Sequence, residues 1–81
     1  MWYVYALQSL KDSHLYIGIS ENPERRLSQH NAGMTASIKS RRPFRLIYKE
    51  ECLNREEARK REKYFKGGSG REFLKSQITP P

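Results

Sequence analysis

The stretch LYIGIS, residues 15–20, decides how the rest of the chain is read. Leu15, Ile17 and Ile19 alternate with Tyr16 and Gly18, the two-residue period of a strand whose faces differ. One face is uniformly apolar. The other holds a tyrosine beside a glycine. Glycine weakens a strand interior and marks a bulge or a close approach of other groups to the backbone. Either Gly18 is a packing detail, or it leaves open volume in front of the tyrosine hydroxyl.

Upstream, WYVYALQ (2–8) is aromatic and β-branched and reads as a strand. The polar SLKDSH (9–14) is short enough to require an antiparallel hairpin. A turn centred between Leu10 and Lys11 sets Tyr5 across from Tyr16 on one face. Downstream, ENPERRLSQHNAG (21–33) carries the signals of a helix: Asn22 as N-cap, Pro23 at the first position, Glu24 in the first turn and Gly33 at the stop. Arg26 and His30, four apart, share a face with Pro23 and Leu27. MTASIKSRR (34–42) lacks a period and reads as a loop. PFRLIYKEEC (43–52) is a third strand, with Phe44, Leu46 and Tyr48 alternating with Arg45, Ile47 and Lys49. NREEARKREKYFKGG (54–68) is a second helix, capped by Asn54 and ended by Gly67 and Gly68. SGREFLKSQ (69–77) is a third, capped by Ser69. The expected fold is α/β: a three-stranded antiparallel sheet flanked by helices in the order β-β-α-β-α-α. One domain spans 1–78, and 79–81 form a tail.

Composition narrows the function. Eighty-one residues allow a single small core. Sixteen Lys and Arg against nine Asp and Glu give a net charge of +7, which favours a polyanionic partner such as nucleic acid. No segment pairs helical amphipathicity with a bulky apolar face, so a membrane surface is disfavoured. The lone cysteine, Cys52, excludes an intramolecular disulfide and a Cys-rich zinc site, and reads as a small core residue of a protein in a reducing compartment. The N-terminal run has no basic n-region and no cleavage-site pattern. A cytoplasmic protein is expected.

The second helix contains a misfit. At 100° per residue Asn54, Ala58, Glu62 and Phe65 form one stripe, with Arg61 at its edge. This is the most apolar side, so it should face the sheet, and Glu62 stands where an apolar residue belongs. A buried carboxylate must be paired, protonated or bound to a metal. Glu56 and Glu57, each four residues before a cation, read as solvated helix pairs with Lys60 and Arg61. The chain therefore offers two tyrosines on one sheet face, an Arg–His pair on one helix and an inward carboxylate on another. These are the parts of a one-metal phosphodiesterase: a metal ligand, a cation for phosphate charge and groups that move a proton.

With YVY at 3–5, YIG at 16–18, NPERRLSQHNAG at 22–33 and EEARKREKYFKG at 56–67, the sequence resembles the GIY-YIG nuclease domain, in particular its small standalone bacterial members. The resemblance covers nearly the whole chain. It implies that Tyr5 and Tyr16 line the site and contact the nucleophilic water or the scissile phosphate, one of them as general base. It implies that Gly18 is structural, that Arg26 stabilises phosphate charge, and that His30 transfers or orients a proton. Glu62 would bind a single divalent cation, Mg²⁺ or Mn²⁺. The implied activity is metal-dependent cleavage of DNA, directed by structure rather than sequence, on single-stranded, branched or damaged substrates of the kind met in DNA repair, with RNA also open. The first motif lacks its glycine, Tyr3 standing in that place. Ile19 follows YIG where some members carry lysine, the late asparagine of larger members has no match, and a separate DNA-reading domain is not expected.

Lys39, Arg41 and Arg42, in the loop before the third strand, are candidates for sequence-blind, salt-sensitive phosphate contacts. The alternative to an enzyme is a weakly active or inactive nucleic-acid-binding module that needs a partner protein. A monomer or weak dimer is expected.

Overall fold

The computed structural model describes residues 1–78; the expected tail at 79–81 lies outside them. Three strands, β1 (Trp2–Ser9), β2 (Leu15–Ser20) and β3 (Phe44–Cys52), form an antiparallel sheet in the order β2-β1-β3. Helix α1 (Pro23–Asn31) joins β2 to β3, and α2 (Arg55–Phe65) and α3 (Gly68–Ser76) follow β3. A single 3-10 turn, Lys39–Arg41, lies within the loop before β3.

The sheet is covered on both faces. Val4, Ala6, Leu15 and Ile17 pack with Ala58 and Phe65 of α2 and Leu74 of α3. The opposite face of β1, Tyr5 and Leu7, packs with Phe44, Leu46, Ile38 and Leu27 of α1. Cys52 belongs to the first cluster, as expected, and burial pushes its thiol up from its ordinary value.

The hairpin register differs from the expected one by two residues. Tyr5 pairs with Gly18 and Tyr16 with Leu7. Ser9 is the cause. Its hydroxyl accepts from the N–H groups of Lys11 and Asp12, and the Ser13 N–H bonds back to the Ser9 carbonyl, with Ser13 in the left-handed region at φ 64°. Asp12 Oδ1 takes the His14 N–H at 2.9 Å. The turn thereby closes later than a two-residue turn at Leu10 and Lys11. A slip of two keeps every side chain on its face, so Tyr5 and Tyr16 remain neighbours.

In β3 the expected alternation holds only in part. Leu46 faces Leu7 and Tyr48 faces Ala6, so Ile47 is an extra residue in a bulge. The bulge moves Tyr48 to the α2–α3 face, where its ring meets Phe65 and Phe73 edge-on, each at 5.4 Å.

Helix α1 begins as the sequence specifies: Asn22 Oδ1 accepts from the Arg25 N–H at 3.1 Å, Pro23 opens the helix, and Gly33 follows its end at φ 81°. Asn54 caps α2 in the same way through the Glu57 N–H. Ser69 does not cap α3. That helix starts at Gly68 after an extended Gly67, so Ser69 lies inside its first turn and the cap position has no side chain to accept a bond. Arg61 does not pair with Glu57, which takes Lys60 at 3.4 Å instead. Arg61 reaches across to Glu50 of β3 with two bonds, at 2.6 and 3.0 Å, and Tyr48 donates to the same carboxylate at 2.8 Å. Arg61 holds the Glu50 carboxyl below its ordinary value of 4.5. Burial, with the bond to Glu50, pushes the Tyr48 phenol up to about 12.

Asn31 fixes the far end of α1. It donates to the Phe44 carbonyl at 3.1 Å and accepts from the Phe44 N–H at 2.7 Å, joining α1 to the start of β3. Asn31→Ala leaves both backbone groups without a partner and is expected to cost about 1–3 kcal/mol, read as a lower urea midpoint. Because the Glu50 carboxyl is lowered in the fold, its contribution is present above pH 4.5 and is lost as pH falls through the folded value. Glu50→Gln is expected to be less stable than the native chain at neutral pH, with the difference shrinking on acidification below that window.

Candidate active site

Tyr5 stands at the centre of β1 with its ring laid over Gly18 of β2. A Cβ at residue 18 would lie 2.7 Å from the Tyr5 hydroxyl oxygen and 2.9 Å from Cζ. The gap in LYIGIS is therefore filled by the Tyr5 phenol, not left open in front of Tyr16. Tyr5 is 1% exposed. Its hydroxyl lies 3.2 Å from His30 Nε2, and the His30 ring is fully buried at the end of α1. Tyr16, partly exposed, packs its ring 4.9 Å from His30 edge-on and 6.5 Å from Tyr5. Arg26, one turn before His30, is partly buried and donates to Gln29 Oε1 at 2.7 Å.

The electrostatics are directional. Burial raises the Tyr5 phenol above its ordinary value of 10. A hydrogen bond and the charge of Arg26 pull it down, and the proximity of Tyr16 and Glu62 pushes it up. Desolvation wins, so the phenol is neutral at physiological pH. Burial lowers the His30 imidazole below 6.5, and the Arg26 charge lowers it further. The imidazole is therefore a neutral ring beside a neutral phenol, able to accept a proton from it.

Glu62 lies on α2, partly buried with its side chain 17% exposed, and its Oε2 is 3.5 Å from Lys66 Nζ. Its charge is felt at the Tyr5 hydroxyl. A groove along this side of α2 is lined by Arg59, Lys63 and Lys66 around Glu62. Among the described residues no three His, Cys, Asp or Glu side chains cluster as a metal cage. A hard divalent cation needs none: magnesium keeps several waters and is held through one or two carboxylates plus substrate phosphates. The hard oxygen donor of Glu62, set in a groove open to a phosphate, suits such a cation.

The structure brings Tyr16, Arg26 and His30 together around the Tyr5 phenol, which itself lies against Gly18, with Glu62 within electrostatic reach. Lys39, Arg41 and Arg42 lie elsewhere, in the loop between α1 and β3. Arg41 is held by Asp12 at 2.5 Å, and its carbonyl accepts from Ser9. Lys39 and Arg42 line a cleft with Lys11, Ala36 and Ser40. Lys11 comes from the hairpin turn, and no local pattern linked it to residue 39. Thr35, whose hydroxyl is 3.0 Å from His30 Nδ1, was equally silent in the sequence.

The family model of the GIY-YIG catalytic domain matches residues 1–75. The chain belongs to the GIY-YIG family. A UPF0213 protein of Desulfotalea psychrophila is 44% identical over 63 residues, 75% of this chain and 56% of the relative. The chain thus spans little more than half the length of that protein. A UPF0213 protein of Staphylococcus haemolyticus is 42% identical over 74 residues, covering 90% of this chain and 89% of the relative. A UPF0213 protein of Bacillus halodurans, solved by NMR, is 32% identical with a TM-score of 0.55, over 100% of this chain and 89% of that one. The GIY-YIG family is one of nucleases, generally dependent on a divalent metal. Among the described residues no helix is long and apolar enough to cross a membrane.

Gly18→Ala drives a methyl group into the Tyr5 phenol. It is expected to lower stability by about 1–3 kcal/mol, the range for overpacking, and to move the His30 ring resonances in a proton–nitrogen spectrum. An unchanged spectrum would show that Tyr5 does not depend on this gap.

Proposed function

We propose that this chain is a divalent-metal-dependent endonuclease that hydrolyses phosphodiester bonds in DNA, guided by the structure of the nucleic acid rather than its sequence. The observation that carries the reading is the convergence of Tyr16, Arg26 and His30 on the Tyr5 phenol. A purely structural role accounts poorly for an arginine, an imidazole and two phenols gathered at one point of a small sheet.

Glu62 would hold the cation together with phosphate oxygens. Bound there, the cation would polarise the phosphoryl oxygen and acidify a water. The chain's own groups do the rest. Arg26 offers N–H donors to the charge that grows on the phosphate. Tyr5 is a poor base by itself, being a neutral phenol, but His30 stands ready to take its proton as Tyr5 takes one from the attacking water. Tyr16, at the exposed side of the cluster, contacts the water or the phosphate and orients it.

Binding would be electrostatic. Lys39 and Arg42, joined by Lys11, give a basic cleft for the phosphate backbone, and Arg41 adds charge that Asp12 partly offsets. Arg59 and Lys63 flank Glu62 and suit the phosphates next to the scissile one. Such contacts read no bases. Single-stranded, branched and damaged DNA are the substrates to try first, followed by RNA. A cytoplasmic site of action is consistent with the free, buried thiol of Cys52.

Labelled single-stranded, duplex and branched DNA incubated with Mn²⁺ or EDTA, beside the Glu62→Gln protein, tests the activity. Metal-dependent nicking that Glu62→Gln abolishes, with fold and DNA affinity kept, is the expected result. Equal cutting by the variant would remove Glu62 from the metal site, and binding without cutting on every substrate would leave only a binding module. Replacing Lys11, Lys39 and Arg42 together with Ala is expected to weaken binding and flatten its salt dependence by about two to three in log–log slope. An unchanged slope would take this cleft off the binding surface.

A further inference from the structure

The proton path in this cluster has a definite direction, and it is fixed from the Tyr5 end. Among the described residues the buried Tyr5 hydroxyl has His30 Nε2 as its hydrogen-bond partner, and the Arg26 guanidinium near it carries donors only, so Nε2 is the acceptor open to the phenol. The neutral phenol keeps its own O–H, which points to His30 Nε2 at 3.2 Å. Nε2 must then be the bare nitrogen. A neutral imidazole has one N–H, so Nδ1 carries it and donates to Thr35 Oγ1 at 3.0 Å. Thr35 is partly exposed, whereas His30 and Tyr5 are buried. Its hydroxyl makes no other hydrogen bond among the described residues, which leaves its own O–H to point toward the exposed side.

The groups facing His30 support this order. They are Tyr5 from β1, Tyr16 from β2, Phe44 from β3, Thr35 from the loop and Arg26 from its own helix. The charge among them is that of Arg26, which disfavours an imidazolium. A proton arriving at Nε2 must leave from Nδ1 rather than stay on the ring.

We propose that Thr35 is the positioning residue of this site, holding His30 as the Nδ1–H tautomer and forming the outlet through which a proton taken up at Tyr5 reaches solvent. This rests on the nuclease reading above. In the step, the oxygen of the attacking water bonds to phosphorus and its proton passes to the Tyr5 oxygen. The Tyr5 proton passes to Nε2, the Nδ1 proton to the Thr35 oxygen, and the Thr35 proton to bulk water. The phosphorus–oxygen bond breaks with its electron pair on the departing oxygen, which takes a proton from solvent. Tyr5 and His30 end neutral, with the ring proton now on Nε2. To reset, a solvent proton enters Nδ1 through Thr35, the Nε2 proton returns to the Tyr5 oxygen, and the Tyr5 oxygen releases its other proton to the water that replaces the product, which restores the starting tautomer with no net charge gained. A carboxylate in place of Thr35 could accept the ring proton but would stabilise an imidazolium and hold the charge in the site. A hydroxyl accepts and donates together, and conducts without charging the ring.

The test begins with the free, unmodified protein, by two-bond proton–nitrogen correlation of the His30 ring. Protonated Nδ1 and bare Nε2 are expected; a ring protonated at Nε2 overturns the proposal, with no variant needed. Thr35→Val should lose the single tautomer and slow cleavage by roughly 10-fold or more, as loss of a group that orients an active-site ligand does. Thr35→Ser should restore both. A Thr35→Val protein with the native tautomer and native rate also overturns the proposal. The two readings fail separately. The ring measurement involves no cleavage, whereas absence of cutting by the native protein on every nucleic acid overturns the nuclease reading.

Discussion

The contact between the Tyr5 phenol and the bare backbone of Gly18 sets the terms for the rest of this structure. Placing a tyrosine hydroxyl under a sheet strips it of water, and that hydroxyl must then be answered by protein groups. Helix α1 supplies the answer. Arg26 and His30, one turn apart, arrive at the hydroxyl together because Asn22 and Pro23 fix where the helix starts and Asn31 ties its end to Phe44. The turn at Ser9 sets the register that brings Gly18 opposite Tyr5. Each of these local features is modest alone. Together they leave one arrangement for the buried phenol.

How much of this was legible in the sequence depended on how far each signal reaches. The start of α1 was legible because cap, proline and first-turn glutamate lie within three residues of one another. The shared face of Tyr5 and Tyr16 was legible because side-chain parity survives a slip of two, even though the register itself did not. The meaning of Gly18 was half legible: the gap could be seen, but not that a phenol from the neighbouring strand fills it. Glu62 was visible as a carboxylate on an apolar stripe. The bulge at Ile47 was hidden, since β3 alternates cleanly when read alone and is interrupted only by its pairing with β1. Thr35, Lys11 and Asn31 were hidden for a related reason: each acts on a group far from it in sequence or across a loop, and ordinary polar residues in loops and at helix ends carry no mark of such a partner.

The charge of +7 is also less uniform than the count suggests. Arg61 is engaged by Glu50 and Arg41 by Asp12, so these two cations serve the fold first. Lys49 pairs with Glu24 over the Tyr3 ring. These exposed pairs contribute little stability each, but they sort the surface. Lys11, Lys39 and Arg42 at one cleft, and Arg59, Lys63 and Lys66 around Glu62 at another, are left facing solvent. These two patches add to the positive field that a polyanion would meet, Lys66 less than the others because Glu62 lies 3.5 Å from it.

The two halves of the candidate site are built by different rules. The Tyr5–His30 half is buried and closely packed, with the phenol 3.2 Å from Nε2 and Thr35 3.0 Å from Nδ1. It is preorganised by the fold, and the fold bears the desolvation cost. The half proposed to hold a cation is an open groove in which Glu62 has Lys66 beside it and Glu56 lies further along the lining. One carboxylate is a weak ligand for a strongly hydrated divalent ion, so tight binding there requires the phosphate oxygens of a substrate. On the proposed reading, the nucleic acid would complete the metal site. Cleavage competence would then be tied to the presence of a correctly seated phosphate, and the buried Tyr5–His30 pair, already aligned, would need no rearrangement when that phosphate arrives.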